Sequence, residues 1–389
     1  MMSSFPYENS MAAAESNMDE ARLNMVARTF LDQQKQGAFP GGQLVVRHNG
    51  KIALKLACGT ARGWNGRGGT TEVAVQENTL FPVYSTGKPM AAVVIAILEA
   101  KGLLDVNAPV SAILPDFSGR GRDEITVLDV LTHRAGIILS DLINNHEIWA
   151  DRDAVWQHLL ITLPRYPRGT FAYMPGEFGI ILDRIVERLT GETIAEHFQN
   201  EISVPLGLSN MHFGLGTNRI DELAWSYWLG KEHYTIAEMD VADKFEERNN
   251  DSAVFAAANP AFSMVSDAAS LAAFYEFLVK GVITNDGKSL CDGHLLNLYT
   301  SRQVSGWNKS VKTWLSVGRG FMTGSITPSF FGWYGTSSCF GHAGMFSSLA
   351  FADRDTGLSA AIVTNGNRSI GDFFGRFIKI THGLRKACR

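Results

Sequence analysis

Two stretches far apart in the chain carry the alternation of β-hairpins, and the sequence between them carries mostly helical periods. "GGQLVVRHNGKIALKLACG", Gly41 to Gly59, alternates apolar and polar residues and turns at His48-Asn49-Gly50, where Asn-Gly suits a tight hairpin turn. "CFGHAGMFSSLAFADRDTGLSAAIVTNG", Cys339 to Gly366, reads as two antiparallel strands joined at Asp353-Arg354-Asp355-Thr356-Gly357. A helical pattern precedes the first stretch, with Leu23, Val26, Phe30 and Leu31 on one face between Met18 and Gln36. Another, "GDFFGRFIKITHGLRK", follows the second. The simplest packing forms one sheet from both ends of the chain and covers it with the terminal helices. Residues 1–80 and 280–389 are then an α/β sheet portion, and residues 81–279 a mostly helical one. Its helices are expected in "TVLDVLTHRAG", "FGIILDRIVERLTGETIAEHFQNEI" and "SDAASLAAFYEFLVKG".

A chain of 389 residues, 45% hydrophobic and 19% charged, can bury a large core. Its formal net charge of −4, without a run of Lys and Arg interleaved with aromatics, gives no field for a phosphate backbone, so no nucleic-acid partner is expected. No run of about twenty apolar residues could span a bilayer. The N-terminal residues lack a basic segment followed by an apolar one, so no membrane partner and a cytoplasmic location are expected. Cys58, Cys291, Cys339 and Cys388 have no metal-type pairing and are expected to be free thiols. No cofactor or metal is expected.

One short stretch concentrates reactive groups. In "FPVYSTGKPM", Phe81 to Met90, Ser85 precedes Lys88 by three residues at the start of an apolar helix, so hydroxyl and amine share one face. Helix-start N–H groups would stabilise negative charge developing at the serine. Desolvation would lower the lysine's pKa towards the range where it accepts a proton. Ser85 as a helix cap with Lys88 reaching to water fits the fragment equally well. Gly-x-Ser-x-Gly, His-Glu-x-x-His, Gly-x-Gly-x-x-Gly and phosphate-loop signatures are all missing from the sequence.

Four segments, in order, resemble the serine β-lactamase-like superfamily of penicillin-binding proteins, class C β-lactamases and related carboxylesterases and acyltransferases. "FPVYSTGKPMAAVVIAILEAKGLLDVNAPV" is similar to the nucleophile helix, and "ITVLDVLTHRAGI" to the segment that follows it. "GTFAYMPGEFGIILDRIVERLTG" with "VPLGLSNMHF" resembles the stretch holding the family's catalytic tyrosine, here Tyr173. "FGHAGMFSSLAFADRDTGLSAAIVTNG" resembles the Lys-Thr-Gly strand, with His342-Ala343-Gly344 on the motif. The resemblance implies a β-lactamase/transpeptidase-like fold, an antiparallel sheet flanked by helices beside a helical domain. It implies that Ser85 attacks a carbonyl while Lys88 and Tyr173 share proton transfer, and that the Ser85 and Met345 N–H groups form an oxyanion hole. His342, Ala343, Gly344 and Tyr84 would contact substrate.

Two departures bear on substrate. Pro175 stands where the family has an amide residue two positions after the tyrosine, and His342 stands where it has lysine. A fixed charge that would meet a penicillin or peptide carboxylate is thus replaced by a group mostly neutral at pH 7. The expected activity is that of a carboxylesterase-like serine hydrolase acting on a small ester or thioester. Transfer of the acyl group to a second small molecule, or from an acyl carrier, uses the same residues, and so does another tailoring reaction of small-molecule biosynthesis, such as a cyclisation or elimination run by Lys88 and Tyr173 without an acyl-enzyme. Cleavage of β-lactams, D-amino-acid peptides or other amides is a further alternative, and a binding protein on a retired enzyme fold is the rival from another class. The aromatic segments "AWSYWLG", "SGWNKSVKTW" and "SFFGWYG" would overhang the pocket or pack beneath loops. In "FAAANPAFSMVSDAASL", Ser266 and Asp267 would supply a helix cap and first turn.

Overall fold

The structure, a computed structural model, describes residues 8–11, 15–67, 71–139, 146–236, 239–281, 287 and 289–388. Most of the N-terminal segment and part of the glycine-rich loop at 63–69 lie outside these residues.

The main sheet draws on both ends of the chain. Its strands are β1 (Glu8–Met11), β2 (Gly41–His48), β3 (Lys51–Arg62), β4 (Val304–Asn308), β5 (Thr313–Val317), β6 (Met322–Thr323), β7 (Cys339–Gly344), β8 (Ser348–Asp353) and β9 (Leu358–Thr364). They are arranged in the order β1-β3-β2-β9-β8-β7-β6-β5-β4, all antiparallel, with Val73–Ala74 added beside β3. Asn49 and Gly50, with φ of 51° and 89°, make the tight turn between β2 and β3.

The central strands are buried on both faces, and their alternation sorts side chains between two cores. Leu44, Val46, Leu349, Phe351, Ala360 and Ile362 face the terminal helices α1 (Glu20–Lys35) and, at the other end of the chain, Ile370–Ala387. Val45, Ala350, Ala352, Ala361 and Val363 face the opposite core. That core contains α2 (Lys88–Ala100), whose residues Lys88 to Leu98 are all buried, as its nearly all-round apolar sequence requires. It also receives α3 (Glu177–Thr190), α4 (Ala268–Lys280) and smaller helices; the closing helix Ile370–Ala387 is α5. Among the described residues, no helix is long and apolar enough to cross a membrane. All four cysteines are free thiols.

Several details differ from the sequence reading. Residues 339–366 contain three strands, not two, because the chain reverses after Gly344 with Met345 and Phe346 at φ of 31° and 62°. Neither residue is a usual occupant of that region, so no turn signature marks the reversal. "SGWNKSVKTW" is the β4–β5 hairpin at the sheet edge, pairing Trp307 with Trp314, and its Val311 and Thr313 line the cavity beside Ser85. The helical middle contains a three-stranded sheet of Phe81–Pro82, Met264–Ser266 and Met211–Phe213. Ser266 therefore belongs to a strand, and Asp267 alone caps α4 by accepting from the Ser270 N–H at 2.6 Å.

Candidate active site

Ser85 lies on a 3-10 turn, Tyr84–Gly87, pinned from two sides before α2 begins. The Val83 N–H donates to the Met264 carbonyl at 2.9 Å, and the Val83 carbonyl accepts from Ser348 Oγ at 2.8 Å. Thr86 Oγ1 reaches Ser348 Oγ at 2.9 Å and the His342 carbonyl at 3.3 Å, so the turn is fastened to β7 and β8. Close approach there requires glycine at 344, since a Cβ would lie 2.1 Å from the Val83 carbonyl oxygen. Tyr84 takes a left-handed φ of 50° and hydrogen-bonds Ser226 Oγ through its hydroxyl at 2.6 Å. Pro89 falls in the first turn of α2, where its missing N–H removes no helical bond.

Lys88 does not reach water. Its side chain is fully buried, and Nζ lies 3.0 Å from Ser85 Oγ, 2.9 Å from the Pro175 carbonyl and 2.9 Å from the Ala261 carbonyl. Two carbonyls can accept only from N–H, so a neutral amine in this place gives both its hydrogens to them and turns its lone pair to the serine hydroxyl. Burial lowers the Lys88 pKa from 10.5 to about 7, and the nearby Glu177 carboxylate opposes part of that shift. Ser85 makes no capping contact for α2.

Tyr173 stands beside Ser85 on the wall of the same cleft, close enough for the serine hydroxyl to act on its phenol. Two segments distant in sequence hold its backbone. His133 supplies a carbonyl to the Ala172 N–H at 3.0 Å and Nδ1 to the Met174 N–H at 3.2 Å. At the turn after β4, Asn308 Oδ1 accepts from the Tyr173 N–H at 3.0 Å, and Ser310 Oγ donates to the Tyr173 carbonyl at 2.9 Å. Burial pushes the Tyr173 pKa upward, more strongly than the Ser85 hydroxyl lowers it, so the phenol keeps its proton at neutral pH. Lys88 Nζ is 5.0 Å from the ring centroid.

His342 is buried, and its Nδ1 lies 2.7 Å from the Ala343 carbonyl, which places the ring proton on that nitrogen. Burial first, then Lys88, lowers its pKa to about 3, leaving it neutral. His133 is likewise held well below the usual histidine range by burial, Lys88 and His342, and its ring packs between Tyr173 at 4.5 Å and Phe178 at 5.4 Å. Glu177 is buried at the start of α3, where its carboxylate accepts from the Leu139 N–H at 2.6 Å and the Gly176 N–H at 3.2 Å. Burial raises its pKa against those bonds and the pull of Lys88.

Among the described residues, neither the Ser85 nor the Met345 N–H donates to a protein acceptor, and both residues border the cleft. The structure thus gathers Ser85, Lys88, Tyr173, His342, Ala343, Gly344, Met345 and Tyr84. His133, Glu177, Asn308, Ser310 and Arg248 also shape this region; the first four lie inside segments quoted above, "LTHRAG", "YMPGEF" and "SGWNKSVKTW", without being singled out there, and Arg248 lies in none. Among the described residues, no group of three or more His, Cys, Asp or Glu side chains is placed to hold a metal ion.

The cleft has two lobes that meet at Ser85, Pro175, Val241 and Met345. One is apolar, with Tyr173, Leu315, Phe330, Phe346, Ile370 and Phe373 on its walls. The other runs past Tyr84, Trp149, Glu177 and Phe262 to Arg248 and Asn249. Only the first is bordered by Tyr173.

The model of one protein family, described as Beta-lactamase, matches residues 26–384. The chain is 25% identical over 393 residues to the esterase/beta-lactamase LipL of Mycobacterium tuberculosis, covering 95% of this chain and 87% of that protein. A penicillin-binding protein homolog from Caulobacter crescentus superimposes with a TM-score of 0.81 at 25% identity, covering 98% of this chain and 100% of the other. A family VIII carboxylesterase shares the fold with a TM-score of 0.78 at 21% identity, covering 97% and 100%.

Proposed function

This chain belongs to the Beta-lactamase family, and on that premise we propose that it is a carboxylesterase-like serine hydrolase that forms an acyl-enzyme on Ser85. The observation that carries the reading is the environment of Lys88, an amine with two carbonyl acceptors and a pKa near 7, 3.0 Å from Ser85 Oγ. In the neutral form it takes the serine proton as Oγ bonds to the substrate carbonyl carbon. The carbonyl oxygen becomes an oxyanion between the Ser85 and Met345 N–H groups. When the bond to the leaving oxygen breaks, Tyr173 passes a proton to that oxygen and is reprotonated from Lys88. Water then attacks the acyl-enzyme by the same route in reverse, releasing the acid and restoring Ser85. Tyr173 acts here as a neutral proton relay, because burial holds its phenol protonated.

His342 is buried behind Ala343 and borders neither lobe, so it does not make the substrate contact expected from the sequence; neutral as it is, it leaves β7 without a fixed charge, which favours uncharged esters over groups that end in a carboxylate beside that strand. Similarity to the M. tuberculosis esterase/beta-lactamase supports the same reaction class. Incubation with p-nitrophenyl short-chain esters, followed by intact-mass measurement, tests the reading. The wild type should release p-nitrophenol and show an acyl adduct that is absent from Ser85→Ala. A folded wild type that neither turns over nor acylates with a broad panel of esters and thioesters would overturn it.

A further inference from the structure

The two lobes divide the substrate between them. A tetrahedral centre on Ser85 Oγ has three other substituents: the oxyanion, the leaving oxygen and the acyl chain. With the oxyanion between the Ser85 and Met345 N–H groups, the leaving oxygen must lie beside Tyr173 to receive its proton. Tyr173 borders only the apolar lobe, so the alcohol part sits there, against walls that carry no charged side chain. The acyl chain is left with the lobe that ends at Arg248 and Asn249.

Arg248 is a half-buried cation set on a braced support. It sits on the short helix Phe245–Asn249 and donates to the Val241 carbonyl at 2.9 Å. The next residue, Asn250, binds both backbone groups of Ser226, at 2.8 and 3.0 Å, and Ser226 in turn holds the Tyr84 hydroxyl. Among the described residues, no carboxylate comes within ion-pairing distance of Arg248, and Asp243 and Asp240 act on it only through space. Asp240 is already engaged by His233 and by the Tyr234 and Ala242 N–H groups. Glu177, the lobe's other titratable group, is held at its inner end by the Leu139 and Gly176 N–H groups, and burial raises its pKa. Desolvation without a paired carboxylate lowers the Arg248 pKa, which a bound anion would relieve.

We infer that this lobe selects an acyl group ending in a carboxylate, with its carbon chain against Trp149 and Phe262 and its anion on the Arg248 guanidinium. The preferred substrate class is then the half-ester of a dicarboxylic acid with an apolar alcohol. The positive charge absent at His342 is supplied on the acyl side of Ser85. The assignment of alcohol and acyl lobes rests on the proposed ester cleavage, so the test separates the two.

Benzyl hydrogen glutarate and benzyl valerate have acyl chains of equal length and differ in the terminal carboxylate. Benzyl alcohol release by the full chain gives kcat/KM for each, and the wild-type ratio should favour the half-ester at least about tenfold. The ratio should fall about tenfold in Arg248→Gln, fall less in Arg248→Lys, and shrink with added salt. A wild-type ratio at or below one, or a ratio unmoved in both variants, overturns the inference. If no ester is cleaved, calorimetry of benzyl hydrogen glutarate with Ser85→Ala decides. Binding that weakens about tenfold in Ser85→Ala/Arg248→Gln supports the anion subsite while the hydrolase reading falls, and absence of Arg248-dependent binding overturns the subsite too.

Discussion

Lys88 Nζ is 3.0 Å from Ser85 Oγ, and its two other acceptors are backbone carbonyls, those of Pro175 and Ala261. The carbonyls come from different segments of the chain, yet both face the one amine, so the pair is held by the fold and not by helix spacing alone. A buried ammonium would also bond to all three oxygens, and desolvation brings the neutral amine into balance with it at neutral pH. The lysine is thereby kept near the point where it can change charge at neutral pH.

Replacing Lys88 with methionine should preserve the volume and remove the base. A fall in kcat of about 10²–10⁴-fold is expected, with no acyl adduct by mass. Two buried carbonyls lose their donor, so a stability loss of about 1–3 kcal/mol should accompany it in urea unfolding. Near-wild-type turnover in a folded variant would remove Lys88 from the chemistry.

The same lysine sets a pH signature. Only the neutral amine accepts the Ser85 proton, so kcat/KM should rise with pH through about 7. No second acidic limb is expected from His342, whose pKa of about 3 leaves it neutral throughout. Stability follows the lowered pKa: between about 7 and 10.5 the unfolded state holds the Lys88 proton and the folded state does not. Unfolding free energy should therefore rise with pH across that window by up to about 1.4 kcal/mol per unit, and Lys88→Met should lose this contribution. His342 works in the same sense at lower pH, removing stability as pH falls from 6.5 towards 3. A pH–rate profile and unfolding curves of both proteins would expose a wrong sign.

Much of this site was legible because the chemistry is local. Ser85 and Lys88 are three residues apart on one helical face, and Tyr173 and His342-Ala343-Gly344 sit in motif-like segments. The antiparallel sheet was legible at the chain ends, where Asn49-Gly50 and the alternation of β2 and β3 mark a hairpin. The turn at Met345-Phe346 was not, because tertiary contacts impose its left-handed backbone: Gly344 packs on Val83, and Arg376 donates to the Phe346 carbonyl at 3.3 Å. Asn308 was hidden for a similar reason. Three of its four acceptor contacts organise a hairpin turn locally, and only the fold brings the Tyr173 N–H to it as the fourth.

Asn308→Ala tests that support. Asn308 Oδ1 accepts from the Tyr173, Ser310 and Val311 N–H groups and from Ser310 Oγ, all in a fully buried setting. Removing it should cost about 1–3 kcal/mol and loosen Tyr173, with kcat reduced about tenfold or more. If the loss acts through Tyr173, Asn308→Ala should add little in a Tyr173→Phe background. Full additivity in the double mutant would point to a purely structural role.

Glu177 tunes the lysine from behind. Its carboxylate raises the Lys88 pKa against desolvation, so neutralising it should lower that pKa and move the acidic limb of kcat/KM downward, by on the order of half a pH unit. Glu177→Gln is the near-isosteric change, and its carbonyl can still accept from the Leu139 N–H. Its amide N–H₂ would then face the Gly176 N–H, donor against donor, so some stability should be lost at neutral pH. The carboxyl's own raised pKa has the opposite consequence. The folded state binds its proton more tightly than the unfolded state, so wild-type stability from this group is present in acid and lost as pH rises through the folded value. Glu177→Gln removes that contribution, and the stability difference between the two proteins should narrow as pH rises from 4.5. An acidic limb unmoved in a folded Glu177→Gln enzyme would mean that the carboxylate does not act on Lys88.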